Sequence, residues 1–406
     1  MVPPETENTI IDAASFVPSR IPSKAALHEP WKLTEEQRQR YRQLAIQARA
    51  AKAAGLDITS DENLHPINIP KLSTKLLMPQ REDTGISALS LFSGGGGLDL
   101  GFSRIGINNV AAFEIMDDAA DTIRVACPEM KVYGGEAGDV REVDWSPWRG
   151  SVDILHGGPP CQPFSHAGRQ RGSLDPRDMW PEFVRAVLKI RPAVFVGENV
   201  PALGEAKFAE YVNQTILAPL SKGYHIHVVQ LRAQDFGVPQ IRRRIFFIGF
   251  RNKRIHGKYR PPTPTHAWND NEALESGIVK CMGVREALGL RESGFDDLSP
   301  TIRSTLNGPR NTTSILNSVS ARNRFEKLQI WPNGVAASRE KAQKFPSPNG
   351  HFRLSVPDVA LIQGFPDDWP FSGATYKVLG QIGNAVPPPL AYNVAASIVA
   401  ALGRIK

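Results

Sequence analysis

From Ala88 onward the chain alternates short apolar runs with segments of helical spacing, and the runs end in residues that can do chemistry. Ala88–Phe92 runs into glycines and is followed by the helical stretch Leu98–Ile105. Val110–Glu114 ends in an acid ahead of helical Ala119–Val125. Val152–His156 and Ala193–Glu198 flank the helical segment Trp180–Ile190, and His225–Leu231 with Arg244–Phe250 make a later strand pair. Strands alternating with helices predict an α/β domain built on a mostly parallel sheet with helices on both faces. Such sheets bind ligands at the carboxyl ends of their strands. The glycines, acids and the central cysteine all fall there.

The flanking regions read differently. Residues 1–87 precede the pattern: up to Pro30 the chain is polar and proline-punctuated, so poor order is expected. Thr34-Glu35-Glu36-Gln37 fits a capping box that opens a helix running to a stop at Gly55. Its basic face (Arg38, Arg42, Arg49, Lys52) suits a solvated helix packed on the domain better than it suits DNA. Between Arg251 and Phe352 the rhythm fails in favour of Pro, Asn, Ser and Arg, with short apolar pieces such as Ile278–Leu290; an insertion or small second domain is expected. Leu354–Pro366 and Val386–Leu402 return to helical patterning.

No run of apolar residues is long enough for a membrane span, and no basic-then-apolar leader opens the chain, so neither a span nor a secretory signal is expected. Cys127, Cys161 and Cys281 are spaced too irregularly for a disulfide framework or a zinc pair; no metal is expected, a reducing cytoplasm is, and one special thiol stays open. Lys and Arg number 48 against 41 Asp and Glu, a net +7 that favours a polyanionic partner.

Phe92-Ser93-Gly94-Gly95-Gly96-Gly97-Leu98-Asp99 joins a strand to a helix. Glycines there permit positive φ and close approach of the backbone to a ligand, and the helix start offers free N–H groups. NAD, FAD and S-adenosylmethionine sites share such a turn. Glu114, ending the next strand, could accept two hydrogen bonds from a ribose diol. Asp139, in Gly138-Asp139-Val140, is placed at the end of a third strand, where it could accept from an adenine amino group. Either acid could equally cap a helix, but the ordered set favours a nucleoside cofactor.

Gly157-Gly158-Pro159-Pro160-Cys161-Gln162-Pro163-Phe164-Ser165 is the most telling segment. Two glycines free the chain from the sheet, and three prolines then stiffen the loop. A rigid loop that aims one cysteine outward from a strand end suggests a nucleophile rather than a core thiol.

With these segments in view, the chain from Ala88 to its C-terminus resembles the DNA cytosine-5 methyltransferases of bacterial restriction–modification systems. Phe92–Gly97 is similar to the cofactor loop, Gly157–Ser165 to the catalytic loop, Glu198-Asn199-Val200 to the carboxylate motif and Gln240-Ile241-Arg242-Arg243-Arg244 to the arginine motif. Gln363-Gly364-Phe365-Pro366 follows the variable region, and Gly380–Pro387 closes the series. Met116 stands where the family often carries an acid.

The resemblance implies a Rossmann-like methyltransferase fold with an irregular target-recognition domain: an extension over 1–87, a catalytic domain over 88–255, target recognition over 256–352 and a returning segment over 353–406. It implies transfer of a methyl group from S-adenosylmethionine to carbon 5 of a flipped cytosine in double-stranded DNA by a cytoplasmic monomer, paired functionally with a restriction endonuclease. Cys161, Glu198, Arg242 and Arg244 would serve the chemistry, with Arg242 steadying the site and the neighbouring phosphate. Phe92, Gly94, Gly96, Gly97, Leu98, Glu114, Ile115, Asp139, Val140, Pro160, Asn384, Ala385 and Val386 would hold the cofactor. For DNA, Gln162, Ser165, Arg169 and Arg171 would lie near the flipped base, and Thr301, Arg303, Asn307 and Arg310 would read bases. Gln240–Arg260, with eight Lys or Arg and no acid, could line a groove wall. A catalytically silent DNA-binding or regulatory protein, and a tRNA cytosine-5 methyltransferase, are the alternatives; the intact Cys161, Glu198 and Arg244 weigh against the first, the long variable region against the second.

Overall fold

Seven strands form one sheet: β1 (Ile86–Leu91), β2 (Ile107–Glu114), β3 (Lys131–Gly134), β4 (Ile154–Gly157), β5 (Val194–Asn199), β6 (His225–Arg232) and β7 (Arg243–Phe250). They lie in the order β3-β2-β1-β4-β5-β7-β6 in a computed structural model that describes residues 34–36, 39, 42–43, 46, 65–160, 164, 177–302, 313–316, 318–344, 347 and 350–403. All pairings are parallel except those of β7, which runs antiparallel between β5 and β6. After β3 the chain returns to the other side of β1 to lay down β4. Strand order therefore reverses between β1 and β4, and the glycine turn and the Pro-Pro loop leave the sheet side by side at that crevice.

Among the helices that cover the sheet are α1 (Gly97–Arg104), α2 (Asp117–Ala126), α3 (Trp180–Ile190), α4 (Val356–Gln363), α5 (Thr375–Asn384) and α6 (Pro388–Ala401). The strands read as unbroken apolar runs because both faces are covered. Phe195 and Phe247 point to one face, where Trp180, Phe183 and Val187 of α3 cover them. Val194, Val196, Phe246 and Ile248 point to the other, into a cluster with α1, α4, α5 and α6. The period of two along each strand sorts side chains between these layers.

Three expectations change. Leu354 belongs to a strand, Phe352–Ser355, and α4 starts only at Val356, behind a capping box of Ser355 and Asp358. The strand's partner, Ile330–Ala336, lies in the irregular region, so no local pattern marked it. That region contributes Val284, Leu288, Phe325 and Leu328 to the same buried cluster as α6. At the N-terminus, Glu35, Glu36, Gln39, Arg42, Gln43 and Ile46 are helical and exposed, as the capping box implied, while Arg38, Arg49 and Lys52 lie outside the described residues.

The third change concerns residues 65–87, which are no mere extension. Leu72 and Met78 are buried in the main core, Lys71 and Leu72 donate backbone N–H groups to Ala287 O (both 3.1 Å), and β1 itself starts at Ile86. Deletion of 1–64 should leave the melting temperature and turnover of bound DNA nearly unchanged. Deletion of 1–87 strips three core residues at about 2–5 kcal/mol each, against a total stability of about 5–15 kcal/mol, and should abolish the cooperative melt. Thermal denaturation of the two truncations decides it.

Candidate active site at the switch point

The turn after β1 holds unusual backbone. Gly94 and Gly96 have φ of +55° and +82°, and Phe92 has +55°. A bulky residue in the left-handed region costs energy and clusters at functional sites. Glu114, at the end of β2, fixes the turn: its Oε2 accepts from Gly94 N–H (2.7 Å) and its Oε1 from Met116 N–H (2.8 Å). Burial pushes its carboxyl above the usual range. Backbone donors thus hold both oxygens at the lip of the turn. Ile115, next along, is 53% exposed although apolar, so an apolar surface lies beside a buried carboxylate.

The last segment folds back against this turn. A Cβ on Gly97 would meet Val386 O at 2.1 Å and Ala385 Cβ at 3.1 Å, so only glycine fits there. Ala385 and Val386 are buried, Leu98 is buried in α1, and Asn384 is exposed at the end of α5. Trp369 Nε1 donates to Gly95 O (3.0 Å), a contact that no sequence pattern announced.

Asp139 does not end a strand. β3 stops at Gly134, and a single 3-10 turn, Gly135–Gly138, intervenes. That turn still lies hard on β2, since a Cβ on Gly138 would sit 2.3 Å from Glu114 O. Arg141 grips the Asp139 carboxylate through Nε (2.9 Å) and Nη2 (2.5 Å), holding it below the usual range. Val140 beside it is buried.

Across the crevice, the Pro-Pro loop is tied to the end of β5. Asn199 Nδ2 donates to Pro159 O (3.0 Å), and a Cβ on Gly158 would lie 2.8 Å from Glu198 Oε2. The root of the loop thus rests on the Glu198 carboxyl. Cys161, Gln162, Ser165, Arg169 and Arg171 lie outside the described residues, which resume singly at Phe164, buried against Phe208 and Tyr211.

Antiparallel pairing sets Glu198 opposite Phe246, so Arg244, two residues earlier, shares its face of the sheet. Arg244 Nε meets Glu198 Oε1 at 2.7 Å, both side chains being nearly buried. Burial raises the Glu198 pKa, and the Arg244 and Arg242 charges pull against that rise. A buried carboxyl beside two guanidinium groups is a group that can exchange a proton within the site.

Arg242, expected to steady a phosphate, is enclosed instead. It is 1% exposed and donates to three carbonyls: Ile302 O (3.0 Å), Gly383 O (2.8 Å) and Ala385 O (2.9 Å). The basic run Gln240–Arg260 also divides. Because β7 is antiparallel, its eight residues carry the chain roughly 24 Å away from the site, to where Phe250 pairs with Val194 at the start of β5. Arg251, Lys253, Arg254, Lys258 and Arg260 therefore do not continue a wall beside Arg244.

Thr301 donates its hydroxyl to Ile241 O, while Arg303, Asn307 and Arg310 lie outside the described residues. Of the other cysteines, Cys281 is buried and Cys127 is half-buried just past the end of α2. Burial pushes both thiols up to about 12, so neither is a thiolate at neutral pH. Asp99, in the first turn of α1, is fully buried and pushed up to about 6 by burial. Sequence reading passed it over, because an acid in a first helical turn is ordinarily a response to the helix dipole.

A family model of C-5 cytosine-specific DNA methylases matches residues 86–400. The type II methyltransferase M.NgoMIV of Neisseria gonorrhoeae is 33% identical over 317 residues, covering 78% of this chain and 98% of that protein. M.BsuRI of Bacillus subtilis is 31% identical over 358 residues, covering 77% and 79%. Among solved structures, a putative DNA modification methyltransferase encoded within a prophage (E. coli) superposes with a TM-score of 0.52 at 22% identity, covering 78% of this chain and 99% of that one. At that identity the likeness is one of fold.

Proposed function

The chain belongs to the C-5 cytosine-specific DNA methylases and is a DNA methyltransferase of the type II restriction–modification kind; on that premise we propose that Cys161 attacks a cytosine swung out of duplex DNA, with S-adenosylmethionine as the methyl donor. The observation that supports this most is the Glu198–Arg244 pair, 2.7 Å apart, beneath the root of the Pro-Pro-Cys loop.

Carbon 5 of cytosine is too weak a nucleophile to attack a methyl sulfonium directly. Cys161 thiolate adds to carbon 6, forming an Sγ–C6 bond, while ring nitrogen 3 takes a proton from Glu198. The ring becomes an enamine, and Arg244 donates to the cytosine O2. When bound, the cofactor supplies an electrophilic methyl group on sulfur. Carbon 5 would receive that methyl, the electron pair of its former S–CH3 bond remaining on the cofactor's sulfur. Water then removes the carbon 5 proton, the Sγ–C6 bond breaks to restore aromaticity and the thiolate, and ring nitrogen 3 returns its proton to Glu198. The target base must first leave the helix, at a cost of about a few kcal/mol. Gln162, Ser165, Arg169 and Arg171 fill the gap and hold phosphates, and residues 256–352, with Thr301, Arg303, Asn307 and Arg310, read the sequence.

The crevice between β1 and β4 fits the adenosyl group. Gly94 leaves its side of the turn open, the Glu114 carboxylate faces it for a ribose, and exposed Ile115 offers an apolar face to adenine. Phe92 packs on the same ring; Gly97, Leu98, Val140 and Pro160 line the site, Asp139 accepts from the adenine amino group, and Asn384, Ala385 and Val386 close it. Glu114→Ala should weaken S-adenosylhomocysteine binding about tenfold to a hundredfold, the scale of hydrogen bonds to a charged group, as calorimetry would read. Tight NAD binding with none of S-adenosylhomocysteine would sink the assignment.

In this reading the enzyme works as a cytoplasmic monomer and marks sites against a partner restriction endonuclease. Bisulfite sequencing of a plasmid from expressing cells should show protected cytosines at one short motif. Conversion of every cytosine would refute the activity.

A further inference from the structure

Three buried polar side chains between β7 and the C-terminal segment form one connected network. Gln240 Oε1 accepts from Ile302 N–H (3.1 Å), while its Nε2 donates to Gln363 Oε1 (2.8 Å) and Ile362 O (3.2 Å). Gln363 Nε2 donates onward to Ala385 O (2.7 Å). Arg242 closes the circuit, reaching Ile302 O on one side and both Gly383 O and Ala385 O on the other. Gln240 and Gln363 are fully buried, and Arg242 is 1% exposed.

The two ends of this network have different duties in the function proposed above. Ile302 is the last described residue before Arg303–Arg310, the base-reading segment. Ala385 and Val386 lie against Gly97, where the cofactor helix begins. Apolar side chains could pack the same elements together without the cost of burying a guanidinium and two amides. What they could not do is fix a register, because hydrophobic contact is non-directional. Directional hydrogen bonds between buried polar groups specify one arrangement.

We propose that Gln240 and Arg242 are positioning residues that lock the base of the recognition segment to the cofactor motif, so that loosening them degrades cofactor affinity and target selectivity together. This rests on the assignment of those two segments under the proposed function. Neither side chain touches the reacting atoms, so the losses should fall on KM and selectivity more than on kcat.

The test is Gln240→Met, which fills the same volume and removes the acceptor and both donors, beside Val187→Ala on α3 as a core-damaged control in the other cluster. The readouts are KM for S-adenosylmethionine, kcat on cognate DNA, methylation of single-mismatch sites relative to cognate, and the melting temperature. Gln240→Met should raise KM about tenfold, lower kcat only about twofold and lose about tenfold in selectivity, the scale of one or two buried hydrogen bonds. Val187→Ala, at a comparable loss of melting temperature, should move neither KM nor selectivity. Arg242→Lys keeps the charge but cannot span three carbonyls, and should show the same paired losses; it carries the test if Gln240→Met does not fold. A folded variant that changes only one of the two quantities, or neither, overturns the proposal. Failure of both variants to fold overturns it too, because the network would then be structural alone. A wild-type protein that methylates no cytosine would instead refute the function on which the proposal rests.

Discussion

Cys161→Ser is expected to bind S-adenosylhomocysteine and cognate DNA with near wild-type affinity and to transfer methyl only at background. Without addition at carbon 6 there is no enamine, and carbon 5 stays inert however well the partners are placed. Serine preserves the side chain's size, and Asn199 still anchors Pro159 at the loop root. A hydroxyl is a far weaker nucleophile than a thiolate at neutral pH. The fall in kcat should be on the order of 10⁴-fold or more, the scale seen when a covalent nucleophile is removed. Cys127→Ser and Cys281→Ser, whose native thiols burial holds at about 12, should transfer normally. Single-turnover assays with gel-shift titrations separate the two effects.

Glu198→Gln should have the next largest consequence. Glutamine keeps a hydrogen-bond donor near ring nitrogen 3 but has no proton to give, so kcat should drop by about 10²–10⁴-fold, the usual worth of a general acid. The pH profile carries the sharper signature. Burial raises the Glu198 pKa, so its acid form persists to higher pH than an exposed glutamate's and is lost as pH rises through that raised value. Wild-type activity should therefore show an alkaline limb governed by Glu198, and the Gln variant should be slow with that limb gone. Glu198→Ala is a poorer probe. It would strand the nearly buried Arg244 without its partner, at about 3–5 kcal/mol of stability. A Gln variant with unchanged turnover would remove Glu198 from the mechanism.

Much of this site was legible in the sequence because rigid backbone leaves marks. Glycines at Gly94 and Gly96, prolines at Pro159 and Pro160, and acids at strand ends are local choices with local reasons. The strands were legible too, since a sheet covered on both faces needs unbroken apolar runs. What stayed hidden depends on partners far along the chain. Insertion of β7 antiparallel between β5 and β6 sends Arg251–Arg260 away from the site, and no local pattern reports a strand's direction. Leu72 and Met78 look like tail residues until the main core, with Ala287 bonded to Leu72, is known to receive them. Arg242 resembles Arg244 in sequence, but its burial against Ile302, Gly383 and Ala385 gives it a different task. Asp139 was misplaced because one short 3-10 turn shifts it off the strand end it was assigned to.

The most direct test of the central claim is a covalent trap. Duplex DNA carrying 5-fluorocytosine at the methylated position, incubated with wild-type protein and S-adenosylmethionine, should yield a denaturation-resistant adduct, because fluorine cannot leave as a proton does. Nuclease and protease digestion followed by mass spectrometry should place the modified, methylated base on the peptide containing Cys161. An adduct on Cys127 or Cys281, or free DNA methylated without any adduct, would contradict the mechanism.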